Sequence, residues 1–140
     1  MALLKTESLS VCIDANVYIS GIAFGGNPLK VLQRALNRDF FLITSPQILD
    51  EVQRNLLGKL ELPKERVERF LDDIAAVSSV FVPMGKIKLI QHDGDSLVLE
   101  TAIMGGATIL VTGDRKHLLP LGTFQGITIE PPSKFLARFQ

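Results

Sequence analysis

The amino-acid sequence predicts an α/β fold of three layers, with helices on both sides of a mainly parallel sheet. Short apolar runs bounded by polar residues recur along the chain, as strands buried on both faces do. Helix-start residues and helical apolar spacing separate those runs. The chain has 140 residues, 46% hydrophobic and 21% charged, which is enough to bury a core without disulfides or structural metals.

Residues 10–14, SVCID, open the pattern: Val11, Cys12 and Ile13 form an apolar run ending in a charge, so a buried strand is expected. VYISGIAFGG, residues 17–26, is glycine-rich and mixed, and reads as a loop or a broken helical turn. Asn27 and Pro28 then read as N-cap and first helical residue, followed by Leu29, Leu32, Ala35 and Leu36 at helical spacing. FFLIT, residues 40–44, is a second strand. Ser45 and Pro46 repeat the cap-plus-proline start, Leu49, Val52 and Leu56 make an apolar stripe, and Gly58 marks the end.

Pro63 opens a further helix with Val67, Phe70, Leu71 and Ile74 on one face. VSSVFVP, residues 77–83, reads as a strand, and a loop with Lys86 and Lys88 follows. The stretch QHDGDSLVLE leads into a helix through Ala102 that Gly105 and Gly106 stop. ATILVTGD, residues 107–114, is a fourth strand with a polar end. RKHLLPL is a short turn, GITIEPP a fifth strand and SKFLARF a last short helix. Without repeats or linkers, residues 1–140 are expected to form a single domain.

The formal net charge is zero, so no global field recruits nucleic acid and such binding would need a local basic patch. Cys12 is the only cysteine, which excludes an internal disulfide. The first ten residues, MALLKTESLS, are too weakly apolar for a signal peptide, and no run approaches a membrane span. A cytoplasmic location without membrane association is the expectation.

In open parallel sheets, ligands bind outside the C-terminal ends of the strands. Four acids meet that rule. Asp14 ends the first strand and Asp114 ends ILVTGD; Asp95 sits in the first turn of its helix, and Glu51 in the first turns of the helix after the second strand. Two like charges about 4 Å apart repel by roughly 4 kcal/mol at an effective dielectric near 20. Either some are protonated or a cation compensates them. Hard oxygen ligands select Mg2+ or Mn2+, and the absence of a histidine or cysteine pair argues against zinc. Such a site suits phosphodiester hydrolysis.

Across residues 13–118, IDANV (13–17), SPQILDEV (45–52), DSLVLETAIMGGA (95–107) and LVTGDRKHL (110–118) stand in order. That ordered set resembles the PIN domain family (PilT N-terminus), in the branch of toxin components of toxin–antitoxin pairs. The resemblance implies a PIN-like three-layer fold and a Mg2+- or Mn2+-dependent ribonuclease. It carries the catalytic and metal-binding acids over to Asp14, Glu51, Asp95 and Asp114, and supporting roles to Asn16 and Thr112. It also implies an RNA substrate, an antitoxin partner and a homodimer. Ala15 stands where the family often has threonine, and HDGDS where relatives often read DPDDN.

Each acid has a plainer reading beside the functional one. Asp14 could be a turn residue, and Asp114 a cap for RKHLL. Glu51 could serve the helix dipole, a role for which Asp50 competes; periodicity does not decide between them, and the family pattern favours Glu51. Arg54, Arg115, Lys116 and His117 are candidates for contact with RNA phosphates, or members of solvated polar faces. Lys30, Arg34 and Arg38 recur at i, i+4 and i+8 on one helix and offer the same pair of readings. His92 reads as a loop residue. Phe24, Phe124, Phe135 and Phe139 are candidates for a partner surface, with core burial the plainer fate.

A non-catalytic module that keeps the fold and binds protein or RNA is the competing function; HDGDS and the zero net charge motivate it. Aspartyl phosphotransfer fits poorly, because Asn16 stands where a second aspartate would be needed. QHDGDSLVLE is not a calcium loop, since Leu97 and Met104 occupy the positions where an EF-hand needs ligands. Asp93 is instead placed to cap the helix, and Asp95 to face the strand ends.

Overall fold

The computed structural model of the chain describes residues 9–86 and 93–140, excepting the side chain of Asp93. Six strands form one sheet in the order β3-β2-β1-β4-β6-β5. They are β1 (Ser10–Ile13), β2 (Phe41–Thr44), β3 (Ser78–Val80), β4 (Ile109–Val111), β5 (Thr123–Phe124) and β6 (Ile127–Glu130). All pairings are parallel except that of β5 with β6. β1 lies at the centre, with Val11, Cys12 and Ile13 fully buried. From β1 the chain first builds outward through β2 and β3. It then returns to add β4 on the other side. The order therefore reverses between β1 and β4, and the crevice at their C-terminal ends is where such sheets hold ligands.

Six helices flank the sheet: α1 (Ala15–Phe24), α2 (Gly26–Leu36), α3 (Pro46–Arg54), α4 (Lys64–Ala76), α5 (Asp93–Met104) and α6 (Pro132–Leu136). α1 to α4 and α6 pack on one another, while α5 lies across β1, β2 and β4 as the opposing layer. Val98, Leu99 and Ala102 are the buried face of α5.

Of residues 17–26, expected to be a loop or a broken helical turn, 17–24 form most of α1, Gly25 caps it and Gly26 opens α2. Asp14 starts that helix by accepting the Ala15 amide. Glycine at position 21 reflects packing rather than flexibility. A Cβ there would lie 2.7 Å from Leu32 Cδ1 and 3.0 Å from the Leu29 nitrogen, so α1 and α2 touch through it. α2 starts at Gly26 after a Gly25 cap with φ +76°, so Asn27 is inside the helix and not its cap. Its buried residues are Val31, Leu32 and Ala35, with Leu36 exposed.

Ser45 caps α3 as expected, its hydroxyl accepting the Ile48 amide at 3.2 Å. The buried stripe is Ile48, Val52 and Leu56, with Leu49 only partly covered. Gly58 does not end the helix, which runs on through a π turn over Asn55–Lys59. The strand expected over 77–83 pairs only at Ser78–Val80. β5 was not expected. It is two residues long, and it is joined to β6 by Gln125 and Gly126, both at positive φ as a type I′ hairpin turn requires. Of the four phenylalanines considered for a partner surface, Phe135 is fully buried, Phe124 and Phe139 are partly buried, and only Phe24 stands out, 78% exposed. No described helix is long and apolar enough to cross a membrane. His92 and Lys88 lie outside the described residues.

Candidate metal centre at the sheet crevice

The crevice is organised by Asp14. Its backbone nitrogen continues the β1–β4 ladder by donating to the Val111 carbonyl at 2.9 Å. Its side chain, 5% exposed, is held on both oxygens. Oδ1 accepts the Ala15 amide at 2.8 Å. Oδ2 accepts the Thr112 hydroxyl at 2.8 Å and the Asn16 amide at 3.1 Å. Burial pushes the Asp14 carboxyl up to about 6, against the lowering effect of the Thr112 and Ala15 bonds, and the charges of Glu51 and Asp95 push the same way. The acid is hydrogen-bonded three times and still resists ionisation, chiefly because it is buried and secondarily because Glu51 and Asp95 are near.

Thr112 and Asn16 tie the β1 and β4 ends together. The Thr112 hydroxyl, fully buried, donates to Asp14 and accepts the Asp114 amide at 3.0 Å. Asn16 Oδ1 accepts the Gly113 amide at 3.1 Å, while its Nδ2 serves Asp14. One small hydroxyl and one amide thus fix the relative placement of two acids 100 residues apart in sequence.

Asp114 follows as the chain turns out of β4. Oδ1 accepts the Lys116 and His117 amides at 3.0 and 3.2 Å, so the residue does cap the following turn. Its burial raises the carboxyl, but those two amides, the His117 ring and a hydrogen bond with the Asp95 carboxyl outweigh that and leave it below its ordinary value. Asp95 comes from the first turn of α5, as expected. His117 Nδ1 stands 3.5 Å from Asp95 Oδ2 and 3.6 Å from Asp114 Oδ2. Asp95, Asp114 and His117 each offer a ligand atom within 4.8 Å of the others, the one such group among the described residues.

Of the four expected acids, Asp95 and Asp114 therefore meet. Asp14 is joined to Asp114 through Thr112 and is close enough to feel Asp95. Glu51 stands farther out, exposed, on a cavity of about 220 Å³ that it shares with Ala15, Gln47, Asp50, Arg54 and Gly94. Glu51, rather than Asp50, acts on Asp14 through its charge. Arg54 borders that cavity, while Arg115 and Lys116 are exposed beside Asp114.

The sequence offers His117 only as a phosphate contact, not as a ligand beside Asp95 and Asp114. Its signal was its place three residues after Asp114, the reach of one helical turn. Two buried acids also escaped notice, and both have other duties. Glu130 ends β6, where Arg138 holds its two oxygens at 2.8 and 2.9 Å. Glu100, on α5, accepts the backbone N–H groups of Met84, Gly85 and Lys86, the last at 2.6 Å. Those carboxylates are compensated by protein groups. Glu130 has a cationic partner in Arg138, whereas the described bonds of Asp14 all come from neutral groups. The donor set at the crevice, carboxylate oxygens with one imidazole, has the chemistry to hold a divalent cation.

The family profile described as PIN domain matches residues 10–116. No curated protein matches the chain. Seven chains of solved structures do. One belongs to the crystal structure of VapBC2 from Rickettsia felis bound to a DNA fragment from their promoter. It superposes with a TM-score of 0.61 at 18% identity, over 88% of this chain and 98% of that one, a likeness of fold.

Proposed function

The chain belongs to the PIN domain family, and from that premise we propose that it is a metal-dependent endoribonuclease of the toxin type, a single PIN domain over residues 1–140 that hydrolyses RNA phosphodiester bonds. The observation that carries the reading is the meeting of Asp95, Asp114 and His117 at the strand-order reversal, beside the buried Asp14. Asp95 and Asp114, with His117, would hold Mg2+ or Mn2+, and Asp14 and Glu51 complete the acidic surround. A divalent cation bound there lowers the pKa of water and offsets charge on the phosphate.

The remaining work falls to the chain's own groups. Thr112 and Asn16 hold Asp14 in one rotamer, so its position costs no reorganisation during reaction. Asp14 Oδ1 carries one described bond, from the Ala15 amide, and keeps a lone pair for a cation or for the proton of an attacking water. Arg54, Arg115 and Lys116 rim the crevice, where they would meet the phosphates on either side of the scissile bond. The likeness to a chain of VapBC2 supports a partner protein of the antitoxin kind. A homodimer and a cytoplasmic location belong to the same proposal.

Purified protein should cut single-stranded RNA with Mg2+ or Mn2+ and stop in EDTA, and Asp14→Asn and Asp95→Asn should each lower the rate by about a hundredfold or more. Cutting in EDTA that survives both substitutions overturns the reading. One observation favours a non-catalytic module instead: a protonated His117 could balance Asp95 and Asp114 without a metal. Calorimetric titration separates the two, because that module would take up neither Mg2+ nor Mn2+.

A further inference from the structure

One cavity borders the crevice and a second borders the first, their linings sharing Asn27 and Ser133. The nearer, about 330 Å³, begins at Asn16, Gly113 and Arg115 and reaches Asn27 and Ser133. The farther, about 670 Å³, begins at Asn27 and Ser133 and continues past Lys30, Gln33 and Arg34 on α2. They form one groove that starts at the residue bonded to Asp14. We propose that this groove carries the single-stranded RNA away from the acids, with Lys30 holding a phosphate and Arg34 stacking on a base. The proposal rests on the reading of the crevice as a ribonuclease centre.

The lining fits that occupant. Asn27, Gln33, Asn37 and Gln140 supply amide donors and acceptors, which suit phosphate oxygens, ribose hydroxyls and base edges. Apolar side chains such as Val17, Leu119 and Pro132 line the nearer cavity, whereas in the farther one Leu136 is the large aliphatic among polar residues. Asp39, the one acid there, is already engaged: Arg34 Nη1 binds one oxygen at 3.1 Å and Asn37 the other at 2.7 Å. Lys30 is the cation of that lining with no ion pair to a side-chain acid among the described contacts.

Arg34 is held as a platform. The Asp39 bond fixes its fork, and its guanidinium carbon lies 4.6 Å from the centre of the Phe139 ring. Its side chain remains 42% exposed, which leaves guanidinium surface for a second planar group. From Asn27 to Arg34 the helix covers about 10 Å at about 1.5 Å per residue.

The test is fluorescence anisotropy with a labelled single-stranded RNA of about eight nucleotides, in EDTA so that no cutting occurs, over a range of salt. Lys30→Gln should weaken binding and make the log–log salt slope shallower by about 0.7, the value of one lost phosphate contact on a single strand. Arg34→Lys keeps the charge and loses the plane, so affinity should fall about fivefold or more with the slope unchanged. Thermal melts check that Arg34→Lys still folds; should it not, the exposed Lys30 decides alone. Wild-type protein that fails to bind the RNA, or a Lys30→Gln variant with unchanged affinity and slope, overturns the groove. Cleavage with Mn2+ is scored separately. A protein that binds through Lys30 and Arg34 but never cuts keeps the groove and loses the ribonuclease.

Discussion

Replacing Asp14 with asparagine should stabilise the metal-free protein while removing its activity. The folded state holds the Asp14 proton up to a pH of about 6, against an ordinary value of 3.8. The native chain therefore binds the proton more tightly than the unfolded chain. Stability is highest below the unfolded value and is lost as pH rises through about 6. The loss is about 3 kcal/mol, from about two pH units at about 1.4 kcal/mol each. The group is 5% exposed, so solvent screening takes little from that figure. Asparagine cannot ionise, but it returns part of the gain. With its oxygen facing the Ala15 amide, its NH2 meets the Thr112 hydroxyl and the Asn16 amide, both of which donate to Asp14 in the native chain. Two weakened hydrogen bonds cost about 1–2 kcal/mol. Urea unfolding in EDTA should then show Asp14→Asn more stable than wild type by about 1–2 kcal/mol at pH 8. That advantage should shrink to about zero near pH 5, as Asp14 of the wild type takes up its proton. A variant less stable than wild type at pH 8, or a difference that does not change with pH, would refute the argument that Asp14 is an acid held against its own ionisation.

Thr112→Val keeps the shape and strips the hydroxyl from between Asp14 and the Asp114 amide; stability should fall by about 1–3 kcal/mol in denaturant melts and metal-dependent cutting should drop with it, while Thr112→Ser recovers much of both. Arg138→Gln leaves the fully buried Glu130 without its cation, so unfolding free energy should fall by about 3 kcal/mol, and adding Glu130→Gln should restore part of it. His117→Ala should lower Mn2+ affinity about tenfold by calorimetry, equivalent to about 1.4 kcal/mol, if the imidazole is a ligand. Asp95→Ala should cost activity and Asp93→Ala mainly stability, about 0.5–2 kcal/mol; the reverse pattern in paired melts and cleavage assays would exchange their roles.

The fold was legible where apolar runs are continuous and caps are strong. β1, β2 and β4 read directly because Val11–Ile13, Leu42–Ile43 and Ile109–Val111 are buried on both faces. Ser45 and Pro46 announced α3 because their capping chemistry is local. α1 was hidden because Gly21 and the β-branched residues around it lower helix propensity. The reason for that glycine lies in Leu29 and Leu32 on another helix. β5 was hidden because two residues carry no periodicity and Gln125 is an unusual residue at positive φ. Among the acids, Asp14, Asp95 and Asp114 could be placed together because strand ends and a helix start bring them to one crevice. The contribution of His117 could not be read, since it depends on how the turn after Asp114 curls back toward α5. Nor could Glu130 and Glu100 be set aside in advance, because Arg138 and the 84–86 amides that satisfy them are distant or backbone groups.

The most direct test is diffraction from crystals grown with Mn2+, collected for the anomalous signal of manganese. The account predicts a peak between the Asp95 and Asp114 carboxylates, with ligand oxygens at roughly 2.0–2.3 Å and Asp14 facing it. A map at saturating Mn2+ with no peak in that crevice, or with the ion bound only elsewhere, would contradict it.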